Sequence, residues 1–265
     1  MMQSVSTRAG NVSYTVCGEG RPIILLHATL HDRHDFDPIV PQLSEHYQTI
    51  SVDWPLHGDY IGPATDSSLT KLGAVELANV LEDFVTALDL PPAIIIGNSV
   101  GGFAAACLAI DHPNRVHALI LVNTGGFTTW NLFNRSFCYL LGFPAVTRLV
   151  LPHLIPRYTK AQTLNDTAVC QKAVSRARSL EGASVAAAFW RSFLDEKHDI
   201  RVRARDIKAP TLIVWGANDI VFPVATAYSV QQSIPGSRLE LFEAGHVAFS
   251  SRPEEFISVM EDFLL

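Results

Sequence analysis

The stretch PPAIIIGNSVGGFAAACLAI, residues 91–110, constrains the fold more than any other part of the chain. Ala93 to Ile96 reads as a buried strand and Phe103 to Ile110 as a buried helix. Gly97-Asn98-Ser99-Val100-Gly101-Gly102 joins them, so the chain must turn sharply around one hydroxyl fenced by glycines. A core strand running straight into a core helix is the building unit of a parallel sheet covered on both faces. In such sheets ligands gather at the carboxyl ends of the strands, where Ser99 stands.

The rest of the chain repeats that rhythm. Asn11 to Cys17 alternates as an antiparallel strand does, and Pro22 to Leu26 is a short apolar strand ending at His27. A helix is predicted over Phe36 to His46 and a strand over Thr49 to Asp53. A long amphipathic helix capped by Ser68 is expected to bury Leu72, Val75, Leu77, Leu81, Phe84 and Leu88. Ala118 to Val122 forms the next strand. After Gly125 some eighty residues show helical patterns only, and alternation resumes with strand Pro210 to Trp215, a helix over Val224 to Ser233, strand Arg238 to Phe242 and a helix from Pro253. The reading is a mainly parallel α/β core, residues 1–125 and 206–265, interrupted by a helical cap, residues 126–205.

Gly97-Asn98-Ser99-Val100-Gly101 fits G-x-S-x-G between a strand and a helix, a turn that exposes the serine hydroxyl and needs small neighbours. A serine nucleophile needs a base, and the base an orienting acid, in the chain order Ser, acid, His. Asp219 follows the strand ending at Trp215, and His246 follows the strand ending at Phe242. The order is the required one.

With the segments IILLHATLHD, ISVDWPLHGD, HPNRVHALILVNTGG, APTLIVWGANDIVFP and FEAGHVAFSSRPEEF beside the serine motif, the chain resembles the α/β-hydrolase fold family over nearly its whole length. The resemblance implies an eight-stranded sheet, Ser99 as nucleophile, His246 as general base and then acid, and Asp219 as the carboxylate orienting it. It also implies an oxyanion hole from the backbone N–H groups of Val100 and Thr29. His27-Ala28 stands where the family usually has His-Gly, and Leu56-His57-Gly58-Asp59-Tyr60 where G-x-G-x-S is common. His27 is expected to brace the loop after the third strand by hydrogen bonding.

The expected activity is hydrolysis of a small to medium ester or thioester with an apolar portion, without cofactor or metal. C–C bond hydrolysis, lactone hydrolysis, perhydrolysis and lyase chemistry use the same triad and stay open, as does a ligand receptor with a vestigial triad. In the cap, Trp130, Phe133 and Phe137 recur at i, i+3 and i+7 and are candidates for the pocket roof. The run from His31 to Asp37 offers ligand types in His31, His34 and Asp37, but Arg33 opposes a cation, and a loop entering a helix with Asp35 as its cap accounts for it.

A formal charge of −6 argues against nucleic acid as a partner. Residues 126–205 nevertheless hold 12 Lys/Arg against 5 Asp/Glu, leaving 8 against 21 elsewhere. Arg135, Arg148 and Arg157 at the cap's mouth, with Arg201, Arg203 and Arg205 alternating on an extended segment, leave an anionic substrate open beside simple cap docking. Cys17, Cys107, Cys138 and Cys170 form no C-x-x-C pair, no secretory leader is evident, and no apolar run nears the ~18 residues of a membrane span, so the expected location is the cytoplasm.

Overall fold

Pro22–Leu26 is buried along its whole length, as are Ala93–Asn98 and Thr211–Gly216, because each strand is covered on both faces. The computed structural model describes residues 2–58 and 72–265. Eight strands form one sheet: β1 (Met2–Thr7), β2 (Gly10–Cys17), β3 (Pro22–Leu26), β4 (Gln48–Asp53), β5 (Ala93–Asn98), β6 (Val116–Val122), β7 (Thr211–Gly216) and β8 (Arg238–Phe242). Their spatial order is β1-β2-β4-β3-β5-β6-β7-β8. β2 runs antiparallel to β1 and β4, and every other pairing is parallel.

Ten helices flank or interrupt the described part of the sheet: α1 (Val40–Leu43), α2 (Ala74–Ala87), α3 (Val100–Asp111), α4 (Leu132–Leu141), α5 (Pro144–Thr159), α6 (Leu164–Arg178), α7 (Leu180–Ser192), α8 (Val224–Ser233), α9 (Ala248–Ser251) and α10 (Pro253–Leu264). One face of the sheet packs on Leu77, Leu81 and Phe84 of α2 and Phe103 of α3. The other packs on Phe36, Phe249 and Phe256. Between β6 and β7 stand α4 to α7, which bury Leu151, Ile155, Cys170 and Ala173 together with Leu30.

Several local expectations need correction. Phe36 to His46 is not one helix: a 3₁₀ turn over Arg33–Phe36 is followed by the single turn α1. Pro38 and Pro41 lack the backbone donors a continuous helix requires. Asp32, not Asp35, caps the 3₁₀ turn by accepting from the His34 N–H. The helix assigned a Ser68 cap begins at Ala74, after Gly73, and Ser68 lies outside the described residues, as do Asp59 and Tyr60. Arg203–Asp206 forms a 3₁₀ turn, so Arg201, Arg203 and Arg205 do not alternate on an extended segment. β1 escapes sequence reading because its residues, MQSVST, form a polar, mostly exposed edge.

Candidate active site

The order β3-β5-β6-β7-β8 sets five carboxyl ends side by side, and each contributes to one site. At the end of β5, Ser99 adopts φ 57°, ψ −115°, a conformation costly for a residue with a Cβ. The turn is held from both sides. Its N–H donates to the Val122 carbonyl at 3.1 Å, and its carbonyl accepts from Phe103 N–H and Gly125 N–H at 3.0 Å each. The flanking glycines are needed for close approach: a Cβ at Gly97 would lie 2.5 Å from the Gly101 carbonyl oxygen, and one at Gly101 would collide with the Leu26 carbonyl.

Asp219 and His246 meet directly. His246 Nδ1 lies 2.6 Å from Asp219 Oδ2, and both residues are buried. Asp219 accepts further hydrogen bonds: Asn123 Nδ2 donates to Oδ2 at 2.9 Å, while the N–H groups of Val221 and Phe222 donate to Oδ1 at 2.8 and 3.1 Å. Its carboxylate is thus fixed in plane, with the imidazole as one of four donors. The His246 ring stacks on Phe222 at 5.6 Å and meets Tyr158 edge-on at 5.3 Å. Asn98 links this loop to the serine turn, since its Nδ2 donates to the carbonyls of both Val122 and His246 at 3.0 Å.

After β3, His27 braces the loop as expected. Trp54 N–H donates to His27 Nε2 at 3.2 Å, so Nε2 is the acceptor nitrogen. The proton therefore resides on Nδ1, which donates to the Ala28 carbonyl at 2.7 Å. Burial holds the ring neutral, with its pKa lowered to about 3. The inserted helices fasten the same loop from above: Arg176 donates to the Leu30 carbonyl at 2.9 Å and to Asp32 at 2.5 Å. Burial disfavours the Asp32 charge, but this guanidinium holds its carboxyl well below the usual carboxylate range.

Ser99, His246, Ala28 and Thr29 line one cavity of about 50 Å³, closed by Leu151, Tyr158, Phe189, Trp190, Phe193, Val221 and Phe222. Val100 begins α3, directly after Ser99. Trp130, Phe133 and Phe137 do not reach this cavity. They line a larger one, about 300 Å³, which shares the walls Trp190, Phe193, Val221 and Phe222 with the first. Trp130 precedes α4, whose N-cap is Asn131, so the helical spacing holds only from Phe133 to Phe137. The inner roof comes instead from α5 and α7. Sequence reading missed Tyr158, Phe189 and Trp190 because α5 and α7 carry several apolar residues and no spacing marks which face the serine.

His31 and His34 belong to separate pairs. His31 Nδ1 lies 2.5 Å from Asp35 in the interior, and His34 Nδ1 lies 3.0 Å from Asp37 at the surface. Among the described residues no three His, Cys, Asp or Glu side chains converge on a metal position. Arg201 pairs with Asp199 and Arg203 with Asp111, while Arg135, Arg148 and Arg157 are exposed and line neither cavity.

The sequence profile described as the alpha/beta hydrolase family matches residues 23–259. The chain belongs to the α/β-hydrolase family. Within that family it is 29% identical to a pimeloyl-[acyl-carrier protein] methyl ester esterase of Nitrosomonas europaea, over 92% of this chain and 96% of the relative. It is 27% identical to a 2-hydroxy-6-oxo-6-(2'-aminophenyl)hexa-2,4-dienoic acid hydrolase of Metapseudomonas resinovorans, over 97% and 89%. Among solved structures, the esterase EaEST from Exiguobacterium antarcticum superposes with a TM-score of 0.82 at 23% identity, covering 99% of each chain. Two of these three proteins are thus named esterases and the third a hydrolase of a dienoic acid.

Proposed function

We propose that this α/β-hydrolase cleaves a carboxylic ester or thioester through an acyl-enzyme on Ser99, with His246 and Asp219 completing the triad. The observation that carries the reading is the Asp219–His246 pair at 2.6 Å beside a cavity that Ser99 itself lines. With Nδ1–H held by Asp219, Nε2 is the free nitrogen and takes the proton from Ser99 Oγ as that oxygen attacks the carbonyl carbon. The N–H groups of Val100 and Thr29 receive the developing oxyanion, aided by the N-terminus of α3. His246 then returns the proton to the leaving alcohol or thiol, and activates the water that releases the acid.

Residues 126–205 act as a cap in this reading. The narrow inner cavity takes the acyl group at the reacting carbon, and the aromatic outer cavity takes the apolar remainder of the substrate. The test is a fluorophosphonate, which transfers its phosphonyl group to an activated serine. Mass spectrometry of a digest is expected to find the adduct on Ser99 in the wild type, and none on Ser99→Ala. An adduct elsewhere, or steady ester turnover by Ser99→Ala above a tenth of the wild-type rate, overturns the assignment.

A further inference from the structure

The solvent face of α4 is more apolar than a solvent face needs to be. Leu132, Ser136, Tyr139 and Leu140 share one side of the helix, and Phe143 continues it past the last turn. Leu132 is 86% exposed, Tyr139 60% and Leu140 53%, whereas Cys138 and Leu141 face the protein interior. Leu149 of α5 is 71% exposed. Isolated surface leucines are ordinary, but a row of large apolar side chains on one helix face marks a surface that something covers.

Charge indicates what covers it. Residues 126–165 contain Arg135, Arg148, Arg157 and Lys160 and no Asp or Glu. Arg135 lies on the rim of the row, three residues after Leu132 and four before Tyr139, and Arg148 adjoins Leu149. A second copy of the chain is a poor occupant. A two-fold interface lays the patch against itself, which brings these cations together with no carboxylate from the same stretch between them. Large apolar side chains flanked by arginines instead match a surface with an acyl interior and anionic headgroups.

We propose that the exposed face of α4 docks in the plane of an anionic lipid surface, with Leu132, Tyr139, Leu140 and Phe143 entering the acyl boundary and Arg135 and Arg148 meeting headgroups. No single helix among the described residues is long and apolar enough to cross a membrane; α4 and α5 together have the length and composition, but they meet at a bend of 110°, and the contact proposed is one in the plane of the surface. Phe133, 80% exposed, belongs both to this side of the helix and to the outer cavity wall. Docking therefore brings that cavity to the lipid boundary, where an apolar substrate enters without crossing water. Only this last consequence rests on the ester-hydrolase reading.

The experiment is co-sedimentation of the full chain with vesicles of phosphatidylcholine, alone or mixed with phosphatidylglycerol. Binding to the mixed vesicles is expected to be at least about tenfold tighter than to the neutral ones, and to weaken as salt shortens the Debye length from ~10 Å at 0.1 M to ~3 Å at 1 M. The double variant Leu132→Ser/Leu140→Ser should bind mixed vesicles about tenfold or more weaker, since two exposed leucines that docking would take out of water are replaced by polar groups. Its turnover of a soluble short-chain ester should equal that of the wild type, which shows that the fold is intact. Arg135→Glu should lose the preference for phosphatidylglycerol. Absence of pelleting with either vesicle, or equal binding to both, overturns the proposal. So does a wild-type dimer in the analytical ultracentrifuge that the double variant converts to monomer, because that result assigns the face to a second copy. If the hydrolase reading alone fails, ester turnover is absent while vesicle binding persists.

Discussion

At the residue scale, Asn98 and Asn123 explain how the loops bearing the proposed triad are held. Asn123 sits where a carboxylate after β6 would stand, yet it serves Asp219: Nδ2 donates to the carboxylate, and Oδ1 accepts from Gly216 N–H at 2.9 Å. Asn98, hidden inside the serine motif, connects the β5 turn to the carbonyl of His246. Neither role was legible in the sequence, because an Asn in a strand-end loop has many local uses and only its partners from distant segments define this one. The proposed triad itself was legible, because strand-end position and chain order select Asp219 and His246 without any knowledge of contacts. Asp219→Asn is the sharper test of the acid. An amide oxygen still accepts from the backbone N–H groups, but the neutral side chain favours the wrong imidazole tautomer, as in a serine protease where the equivalent change lowers kcat ~10⁴-fold. Steady-state kinetics on a chromogenic ester should show that kind of loss in kcat with KM little changed. Unaltered kcat would falsify the assignment of Asp219.

At the element scale, the β5–α3 unit positions Ser99 only because α3 comes very close to the sheet. Val100 to Ala109 of α3 is buried without interruption, so the helix has no solvent face there; Gly101 meets the Leu26 backbone directly and Gly102 the Thr124 side chain. Gly101→Ala places a methyl against the Leu26 carbonyl, and inserting atoms into a packed core typically costs ~1–3 kcal/mol. Thermal unfolding should show a lower midpoint for Gly101→Ala, together with reduced ester turnover as β3 and α3 are forced apart and Thr29 and Ser99 separate. An unchanged midpoint would mean that the helix can shift freely and that the glycine is not needed for close packing. The inserted helices illustrate what an element-level reading lacks. Their existence follows from eighty residues without strand patterning, whereas their anchoring depends on pairs such as Arg176 with Asp32 and Ser250 Oγ with Asp166 Oδ1 at 2.7 Å, separated by 144 and 84 residues.

At the scale of the whole molecule, the interior encloses three imidazoles that burial keeps neutral: His27 and His57 with pKa values lowered to about 3, and His198 to about 4. Unfolding exposes each to water, where its pKa is ~6.5. Between pH 6.5 and 4 the unfolded chain therefore binds protons that the folded chain does not, and stability falls as pH is lowered, by ~1.4 kcal/mol per pH unit for each such group. His198 lies between Phe103 and Phe193 at 4.7 and 4.8 Å, so Phe is a tolerable replacement. Denaturant unfolding at a series of pH values should give His198→Phe a shallower acid slope than the wild type by about that amount, whatever its stability at pH 7. Parallel slopes would show that His198 is protonated in the folded chain. The alternation of strands and helices, the helical interruption after β6, the strained serine turn and the identities of the candidate acid and base are all legible in the amino-acid order alone. All of these depend on local patterning or on position at a strand end, which neighbouring residues fix. Packing of the whole chain sets which aromatics close the inner cavity, that Trp130, Phe133 and Phe137 belong to the outer one, that the asparagines hold the site, and that the basic residues of α4 and α5 face outward. Each of those depends on where distant segments meet and on which face of a helix is left uncovered. Burial and charge pairing fix those arrangements only once the whole chain has packed.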